Sequence, residues 1–359
     1  MNTKKVILGM SGGVDSSVAA CLLQKEGFEV LGVSMELYSC DRPTGKGCCT
    51  PADRLDARRI CERLGISFDI IDLRKPFKEE VMTYFATEYS KGRTPLPCAP
   101  CNSKLRFKAL LDYADSVGAK WISTGHYARV RANDDGTASL LRGVDLKKDQ
   151  SYFLWGLGQD VLQRLQFPIG AFNKEKVREK AREFGLVTSE KKDSQELCFV
   201  GDEDHVQFLE NHFPESALPA GDFLDESGKK MGRHRGVHAY TIGQRRGLGV
   251  STGERRYVVS LDAKKNEIIL GGKESLKATG LIAKDPHWID RCPTSDVRCT
   301  TQVRIRSTHA GVGARVETTG SDLTVHFETP QETVTPGQAA VLYQNEVCLG
   351  GAWIEKAIH

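Results

Sequence analysis

The chain has 359 residues, of which 40% are hydrophobic, and its net charge is +3. This length suits two or three globular domains, and the near-neutral charge means that any affinity for nucleic acid must come from local basic patches. With no signal-peptide pattern and no long apolar run, the sequence argues against a secreted or membrane protein. It predicts a cytoplasmic monomer whose eleven cysteines are thiols, metal ligands or catalytic groups rather than structural disulfides.

The first predicted strand and helix flank a glycine-containing loop, Ser11-Gly12-Gly13-Val14-Asp15-Ser16-Ser17. Val6 to Leu8 has the composition of a buried parallel strand, and Val18 to Leu23 continues as an apolar helix. The two glycines permit positive φ and close backbone approach, so that N–H groups at the helix N-terminus can surround phosphate oxygens. The loop lacks the lysine of a P-loop, whereas Asp15 suits Mg²⁺ bridging phosphates, which predicts chemistry at an α-phosphate with pyrophosphate leaving.

Up to residue 205 the pattern alternates between strands and helices, which predicts a doubly wound parallel sheet. Three further strands are expected at 28–37, 67–73 and 120–124, and helices at 52–64, 101–117 and 174–184. Gly125 and His126 then follow the carboxyl end of a strand, where open α/β sheets bind their ligands.

After Pro214 the sequence changes to short strands separated by glycine turns, which predicts two small β-rich, barrel-like domains. The predicted limits are residues 1–205 for the nucleotide-binding catalytic domain, 206–275 for a central β-rich domain and 276–359 for a C-terminal β-barrel. The central domain contains the clearest basic segment, 229–256, with eight Lys or Arg residues and one acid. It is either a solvated loop or, through Arg245 and Arg246, a phosphate-binding surface.

Three cysteines stand where they could do chemistry. Cys98 and Cys101 open a predicted helix that carries several basic residues, a setting that lowers a thiol pKa, and Cys198 lies far along the chain. A single C-x-x-C fits a redox pair, half a zinc site or an iron–sulfur site, and three thiols are too few for structural zinc. Cys40, Cys48 and Cys49 form another group, interpreted as incidental thiols in a loop rather than a metal site.

Six motifs point to a known family: the seven-residue loop, T-G-H-Y-A-R at 124–129, K-D-Q-S-Y-F-L at 148–154, T-I-G-Q-R-R-G-L-G at 241–249, the Cys101-Asn102 pair and Cys198-Phe199. Together they resemble the bacterial tRNA-specific 2-thiouridylase family of the PP-loop ATP pyrophosphatases. The resemblance spans essentially the whole chain. It implies that ATP, with Mg²⁺, adenylates the C2 oxygen of the wobble uridine and that sulfur then displaces AMP. The residues it places around the nucleotide are Gly9, Met10, Ser11, Gly12, Gly13, Val14, Asp15, Ser16, Met35 and Gly125.

The same resemblance implies that Cys198 carries a persulfide and that Cys101 attacks it, closing a transient disulfide. It also implies a sulfur donor, which is a persulfide relay protein, a cysteine desulfurase or sulfide. The tRNA contacts it implies are Leu96, Pro97, Cys98, His126, Lys148, Asp149, Gln150, Arg245, Arg246, Arg304, Ile305 and Gln338.

One departure from the family pattern leaves the sulfur chemistry open. Many members have Asp where this chain has Cys98, and the extra thiol completes a set of three, Cys98, Cys101 and Cys198, that could hold a [4Fe–4S] cluster. Persulfide and cluster routes therefore stay as alternatives. At the level of function, the alternatives are a PP-loop ligase of the amidotransferase type acting on a small molecule, and a redox or iron–sulfur module without catalysis.

Overall fold

The computed structural model describes residues 4–38, 51–186, 197–201, 203–250, 253–289 and 301–359. The interpretation of Cys40, Cys48 and Cys49 falls outside these residues. The chain divides into two compact units. Unit 1 comprises Met1–Val81, Cys98–Asp202 and Glu346–Cys348, and unit 2 comprises Met82–Pro97, Glu203–Asn345 and Leu349–His359.

Unit 1 is built on a parallel sheet with the strand order β3-β2-β1-β4-β7. Its centre is β1, in which Val6, Ile7 and Leu8 are fully buried. The chain reverses its direction of winding between β1 and β4, which pair from Val6↔Trp121 to Gly9↔Thr124. This confirms the predicted doubly wound sheet and puts a topological switch point at the carboxyl ends of these two strands. The strands of unit 1 are β1 (Lys5–Gly9), β2 (Glu29–Glu36), β3 (Ser67–Asp72), β4 (Trp121–Thr124), β5 (Ala128–Ala132), β6 (Ala138–Arg142) and β7 (Leu165–Gln166).

Most of the helices belong to unit 1, and the helices at 83–90 and 205–212 belong to unit 2. In unit 1, α1 and α8 share a core in which Val18 and Leu23 meet Val177 and Ala181. Two segments, Lys78–Met82 and Cys101–Arg106, are π-helical. The α-helices are α1 (Val14–Lys25), α2 (Pro51–Leu64), α3 (Arg74–Phe77), α4 (Thr83–Ser90), α5 (Cys98–Pro100), α6 (Phe107–Ser116), α7 (Gln159–Leu162), α8 (Lys174–Glu183) and α9 (His205–His212).

Unit 2 contains the two β-rich parts that the sequence predicts. In the first, β8 (Gly221–Asp225), β9 (Lys230–His234), β10 (Tyr257–Asp262) and β11 (Glu267–Gly271) form a sheet in the order β10-β11-β8-β9. In the second β-rich part, the strands pair in the order β12-β15-β14-β13-β16-β17, and a further pairing between β12 and β17 closes the sheet. Its strands are β12 (Lys277–Trp288), β13 (Thr301–Arg304), β14 (Val312–Thr319), β15 (Asp322–Glu332), β16 (Ala339–Gln344) and β17 (Val347–Ile358).

Two details differ from the sequence-based expectation. The first β-rich part opens with α9, because Asp204 caps the helix by accepting from the N–H groups of Val206 and Gln207, both at 2.9 Å. Residues Met82–Pro97, expected within the catalytic domain, belong to unit 2. The three predicted domain limits remain a prediction. Among the residues described, none of the helices is both long and apolar enough to cross a bilayer.

Candidate active site

The loop between β1 and α1 is held in shape by its own hydrogen bonds. Gly12 has φ +70°, whereas Gly13, which precedes α1, is extended at φ −92° and ψ 170°. The expectation of positive φ therefore holds for Gly12 and is wrong for Gly13. The Gly13 carbonyl accepts from the Ser17 hydroxyl at 2.7 Å, and the Ser16 oxygen accepts from the Ser11 N–H at 3.3 Å. The loop is thus shaped before any anion arrives.

Gly12 also lies directly against the first turn of α2. A Cβ at position 12 would lie 2.1 Å from the backbone oxygen of Asp53, far inside van der Waals contact, whereas a Cβ at Gly13 would meet only the Ser11 hydroxyl at 3.4 Å. Position 12 therefore requires glycine for two reasons: its φ is positive, and a Cβ would collide with the Asp53 backbone.

We expect Gly12→Ala to destabilise unit 1 and Gly13→Ala, its matched control, to leave it nearly unchanged. The left-handed backbone and the displaced α2 turn together cost more than about 2 kcal/mol, which corresponds to a fall of roughly 4–8 °C in the melting midpoint. Differential scanning calorimetry without nucleotide measures both variants. Equal melting midpoints for Gly12→Ala and Gly13→Ala would show that the first turn of α2 can move aside without loss of stability.

The switch point brings the remaining predicted nucleotide residues to this loop. A Cβ at Gly125, just after β4, would lie 2.7 Å from the Ser16 nitrogen, so the β4 end touches the start of α1. A Cβ at Gly9 would lie 3.6 Å from the terminal methyl of Met35. Backbone from two strand ends and the Met35 side chain therefore lie near one another at this edge of the sheet, and their binding of a nucleotide stays a prediction.

The structure adds two residues that the sequence analysis missed. Lys174, at the start of α8, lies 2.9 Å from both carboxylate oxygens of Asp15, and the Tyr127 hydroxyl donates to Asp15 Oδ1 at 2.7 Å. Asp15 was expected to face Mg²⁺, but in this structure its charge is already compensated by a lysine. Because 159 positions separate the two residues, no local motif signals the pair.

His126 is held as a neutral imidazole. Its Nδ1 lies 2.7 Å from the Thr124 hydroxyl, and its ring packs against Phe107 and Phe167. Burial, reinforced by the positive charge of Arg106, lowers the pKa of His126 to about 3. A neutral ring at the end of β4 can exchange hydrogen bonds with a ligand but carries no positive charge.

We expect the His126 imidazole to show no titration between pH 5 and pH 8 in an ¹H–¹⁵N correlation spectrum of the folded protein. An unfolded histidine takes up a proton near pH 6.5 while the native ring does not. Its contribution to stability is therefore present above pH 6.5 and is lost as pH falls toward 3. Free histidine in the same buffer is the reference, and a titration midpoint of 6 to 7 in the protein would contradict the assignment.

The two cysteines at 98 and 101 lie where an α-helical turn passes into a π-helical one. Cys98 is exposed and Cys101 is buried. Asn102, also buried, donates from Nδ2 to the Phe153 carbonyl at 3.2 Å, and Ser103 donates to the Ala99 carbonyl at 3.0 Å. π-helical turns are rare and are frequent at functional sites, which agrees with the expected role of the two cysteines; that role stays a prediction.

Cys198 lies in a turn at 198–200 and is partly exposed. The neighbouring Phe199 packs edge-on against Phe77 of α3, with ring centroids 5.6 Å apart, and α3 in turn contacts the π-helical segment that begins at Cys101. The two cysteine segments thus share α3 as a neighbour. Direct approach of the Cys101 and Cys198 sulfurs stays a prediction.

The loop with Arg245 and Arg246 in unit 2 is stiffened by four hydrogen bonds. Gln244 accepts from the Thr241 N–H at 3.1 Å and donates to the Arg246 carbonyl at 3.1 Å, while its backbone and that of Gly243 pair with Val258. Both arginine side chains are exposed, and within the described part of the chain neither forms an ion pair. The loop therefore presents two available guanidinium groups on a fixed backbone.

Comparison with known proteins extends these observations over the whole chain. Residues 4–202 match the model described as tRNA methyl transferase HUP domain, residues 206–272 the tRNA methyl transferase PRC-barrel domain, and residues 278–354 the aminomethyltransferase beta-barrel domain. The tRNA-specific 2-thiouridylase MnmA of Carboxydothermus hydrogenoformans is 45% identical, and that of Geobacter metallireducens 43% identical, each over 99% of this chain and 98% of the relative. The chain belongs to the MnmA tRNA-specific 2-thiouridylase family.

This MnmA family member thus combines a HUP-type parallel sheet with a PRC barrel and a β-barrel. Among solved structures, a 4-thiouridine synthetase–RNA complex with bound ATP has a TM-score of 0.35 at 19% identity, covering 59% of this chain and 51% of that one. The NMN synthetase of Francisella tularensis has a TM-score of 0.34 at 20% identity, covering 54% of this chain and 67% of that one. Scores this low do not establish a common overall structure.

Several residues expected to contact tRNA in this MnmA family member have internal partners instead. Arg304 and Ile305 are buried, and the Arg304 guanidinium donates to the Ser307 carbonyl and lies over the Tyr343 ring. Gln338 donates to the carbonyls of Thr94 and Pro95, both at 3.1 Å. The Arg304 and Ile305 side chains face the interior in this structure, and their contact with tRNA stays a prediction.

The K-D-Q motif likewise has an internal role. The buried Asp149 carboxylate accepts from the N–H groups of Gly143 and Ser151 and from the Ser151 hydroxyl, at 3.0 to 3.1 Å, and its contact with tRNA stays a prediction. Gln150 exchanges two hydrogen bonds of 2.9 Å with the Tyr127 backbone. Leu96 and Pro97 are buried, and Lys148 is half-buried, as are His126, Gln150 and Gln338. Cys98, Arg245 and Arg246 are exposed.

Proposed function

We propose that the chain uses ATP to replace the C2 oxygen of the tRNA wobble uridine with sulfur, releasing AMP and pyrophosphate. The observation that carries this proposal is the preshaped loop at the β1/β4 switch point, in the same unit as a π-helical cysteine turn. Family membership supports the choice of tRNA as substrate.

The loop supports the activation step. The N–H groups at the start of α1 and its helix dipole bind the ATP phosphates while the uridine C2 oxygen attacks the α-phosphorus. The bond from the α-phosphorus to the bridging oxygen breaks, and pyrophosphate leaves with the electron pair. The uridine C2 oxygen, which is a poor leaving group as an oxide, can then leave as part of AMP, a phosphate whose second pKa is about 6.

Mg²⁺ supplies charge neutralisation on the phosphates when it is bound with ATP. Asp15 is the loop carboxylate that could contact it, and its position at the start of α1 fits that role once Lys174 has released it. Most ligands of such an ion come from phosphates and water, so one protein carboxylate is sufficient.

For the sulfur step we propose the persulfide route. The terminal sulfur of a Cys198 persulfide attacks C2, the C2–O bond breaks, and AMP leaves with its electrons. The Cys101 thiolate then attacks Sγ of Cys198. The bond between Sγ and the sulfur on C2 breaks, and its electron pair stays on the uridine sulfur, which leaves 2-thiouridine and a Cys101–Cys198 disulfide. A thiol reductant restores the two cysteines, and a relay protein or a cysteine desulfurase then transfers sulfane sulfur to the Cys198 thiol for the next cycle. Sulfide serves on this route only by attacking the Cys101–Cys198 disulfide at Cys198, which forms the persulfide and releases the Cys101 thiolate.

We prefer the persulfide route to a [4Fe–4S] cluster on the placement of metal-ligating side chains among the described residues. Across residues 4–38, 51–186, 197–201, 203–250, 253–289 and 301–359, no group of three or more His, Cys, Asp or Glu side chains is placed to hold a metal ion. Cys98 is exposed and Cys101 buried. We derive no step through a cluster, and on the persulfide route Cys98→Ser remains active after anaerobic reconstitution with iron and sulfide. The monomeric state expected from the sequence stays a prediction.

ATP–pyrophosphate exchange tests the proposed function against the small-molecule ligase. Exchange that requires unmodified tRNA supports the thiouridylase. Exchange that proceeds with a free amino acid or nucleotide and ignores tRNA would favour the ligase. A tRNA already carrying 2-thiouridine is the matched control and is expected to give only background exchange, because its C2 oxygen is gone.

A further inference from the structure

Lys174 has an unusual position for a lysine. Its side chain is only 11% exposed, and its ammonium lies against Asp15, the second residue of α1. The N-terminus of α1 is the anion site of the proposed function, so this cation lies beside the phosphates' expected place. The ring of Tyr127 lies 5.6 Å from the ammonium and covers one side of it.

The backbone of Lys174 is fixed, whereas the end of its side chain can exchange partners. The Lys174 N–H donates to Asp145 Oδ2 at 3.1 Å, and Asn173 caps α8 by accepting from the Lys176 N–H at 2.8 Å. Beyond the first turn, Val177 and Ala181 pack in the core shared with α1. A four-carbon stem on a rigid base lets the ammonium move a short distance without moving the helix.

A purely structural role explains this pair poorly. Burying a lysine and a carboxylate together gains little stability, because the cost of desolvating both charges offsets their attraction. The sequence analysis found that the loop lacks the lysine by which P-loops hold phosphates. A lysine brought to the loop from α8 would supply that charge.

We propose that Lys174 is a pyrophosphate-binding residue, which pairs with Asp15 and transfers its ammonium to the β- and γ-phosphate oxygens when ATP binds. The inference rests on the proposed function. As the bond between the α-phosphorus and the bridging oxygen breaks, negative charge grows on the departing pyrophosphate, and the ammonium stabilises it without itself losing a proton. Asp15 keeps the Tyr127 hydroxyl throughout.

Calorimetric titration of ATP, inorganic pyrophosphate and AMP into the full chain without tRNA tests this. Lys174→Met is expected to weaken ATP and pyrophosphate binding by roughly 10- to 100-fold, the effect of one charged hydrogen bond, and to leave AMP binding within about twofold. Lys174→Arg, which keeps the charge, should recover part of the loss. Lys176→Met is the matched control, since Lys176 is exposed on the same helix and bridges only to Glu179.

A double variant separates ligand binding from a structural effect. Lys174→Met leaves the Asp15 carboxylate without its cation. Adding Asp15→Asn to Lys174→Met removes that uncompensated negative charge. The double variant is expected to bind pyrophosphate as weakly as Lys174→Met. Recovery of wild-type affinity in the double variant, or equal losses for AMP and ATP in Lys174→Met, would overturn the inference. If the wild-type chain binds neither ATP nor pyrophosphate, the proposed function fails instead.

Discussion

Replacing Cys101 with serine is expected to stop thiolation of tRNA, lowering its rate at least about 10³-fold, while tRNA-dependent ATP–pyrophosphate exchange stays within about threefold of wild type. The loop proposed to bind ATP shares no residue with the cysteine turn, so activation is not expected to need this thiol. A serine hydroxyl cannot cleave the persulfide sulfur–sulfur bond at neutral pH. Cys101 is also buried, so the small change from sulfur to oxygen disturbs the packing little.

The matched control is Cys98→Ser, three positions earlier on the same helix start and exposed. On the persulfide route this variant keeps most of its thiolation activity. Nucleoside mass spectrometry measures the product, and radiolabelled pyrophosphate measures the exchange. Loss of exchange in Cys101→Ser in parallel with thiolation would contradict the separation of the two steps, and equal loss of thiolation in both variants would contradict the roles assigned to the two thiols.

Reversing both charges of the basic loop, as Arg245→Glu with Arg246→Glu, is expected to weaken tRNA binding by roughly 100-fold at moderate salt. The two guanidinium groups are exposed on a loop fixed by Gln244, so the backbone need not be ordered when they approach phosphates. If each neutralises one phosphate, the slope of log affinity against log salt falls by about 1.4 to 1.8. Filter binding over a salt series measures both quantities.

The matched control for this variant is Lys264→Glu with Lys265→Glu. These two lysines are also adjacent and exposed, and they lie in the β10–β11 turn, where their N–H groups bond to Asp262 at 3.0 Å. We expect this control to keep tRNA affinity within about threefold. Equal losses in the two variants would mean that net charge alone acts, and unchanged affinity in the arginine variant would remove the loop from the interface.

The fold followed from the sequence where the pattern is local. Strand β1 is an unbroken apolar run, and the alternation of strands with helices up to residue 205 allows few arrangements other than a doubly wound sheet. Positive φ was expected at both Gly12 and Gly13 because a phosphate loop needs close backbone approach, and only Gly12 has it. The helix α9 was missed, since its single capping aspartate stands in a region of otherwise β-like composition.

The candidate site was harder to predict where partners come from distant parts of the chain. Lys174 and Asp15 are unremarkable as separate residues, and only the packing of α8 on α1 brings them together. Burial is similarly a property of the fold: nothing local marks Arg304 or Asp149 as internal, because the charged side chain acquires its partners only after folding. Motif resemblance therefore named candidate residues but could not separate exposed side chains from those with internal partners.

The most direct test of the central claim is mass spectrometry of wobble uridine after anaerobic reaction of the purified chain with unmodified tRNA, ATP and a persulfide donor. The account predicts 2-thiouridine at that position, with one AMP and one pyrophosphate released per sulfur inserted and no product when ATP is replaced by a nonhydrolysable α,β-methylene analogue. ATP-independent sulfur incorporation, or AMP release with no thiolated nucleoside, would contradict it.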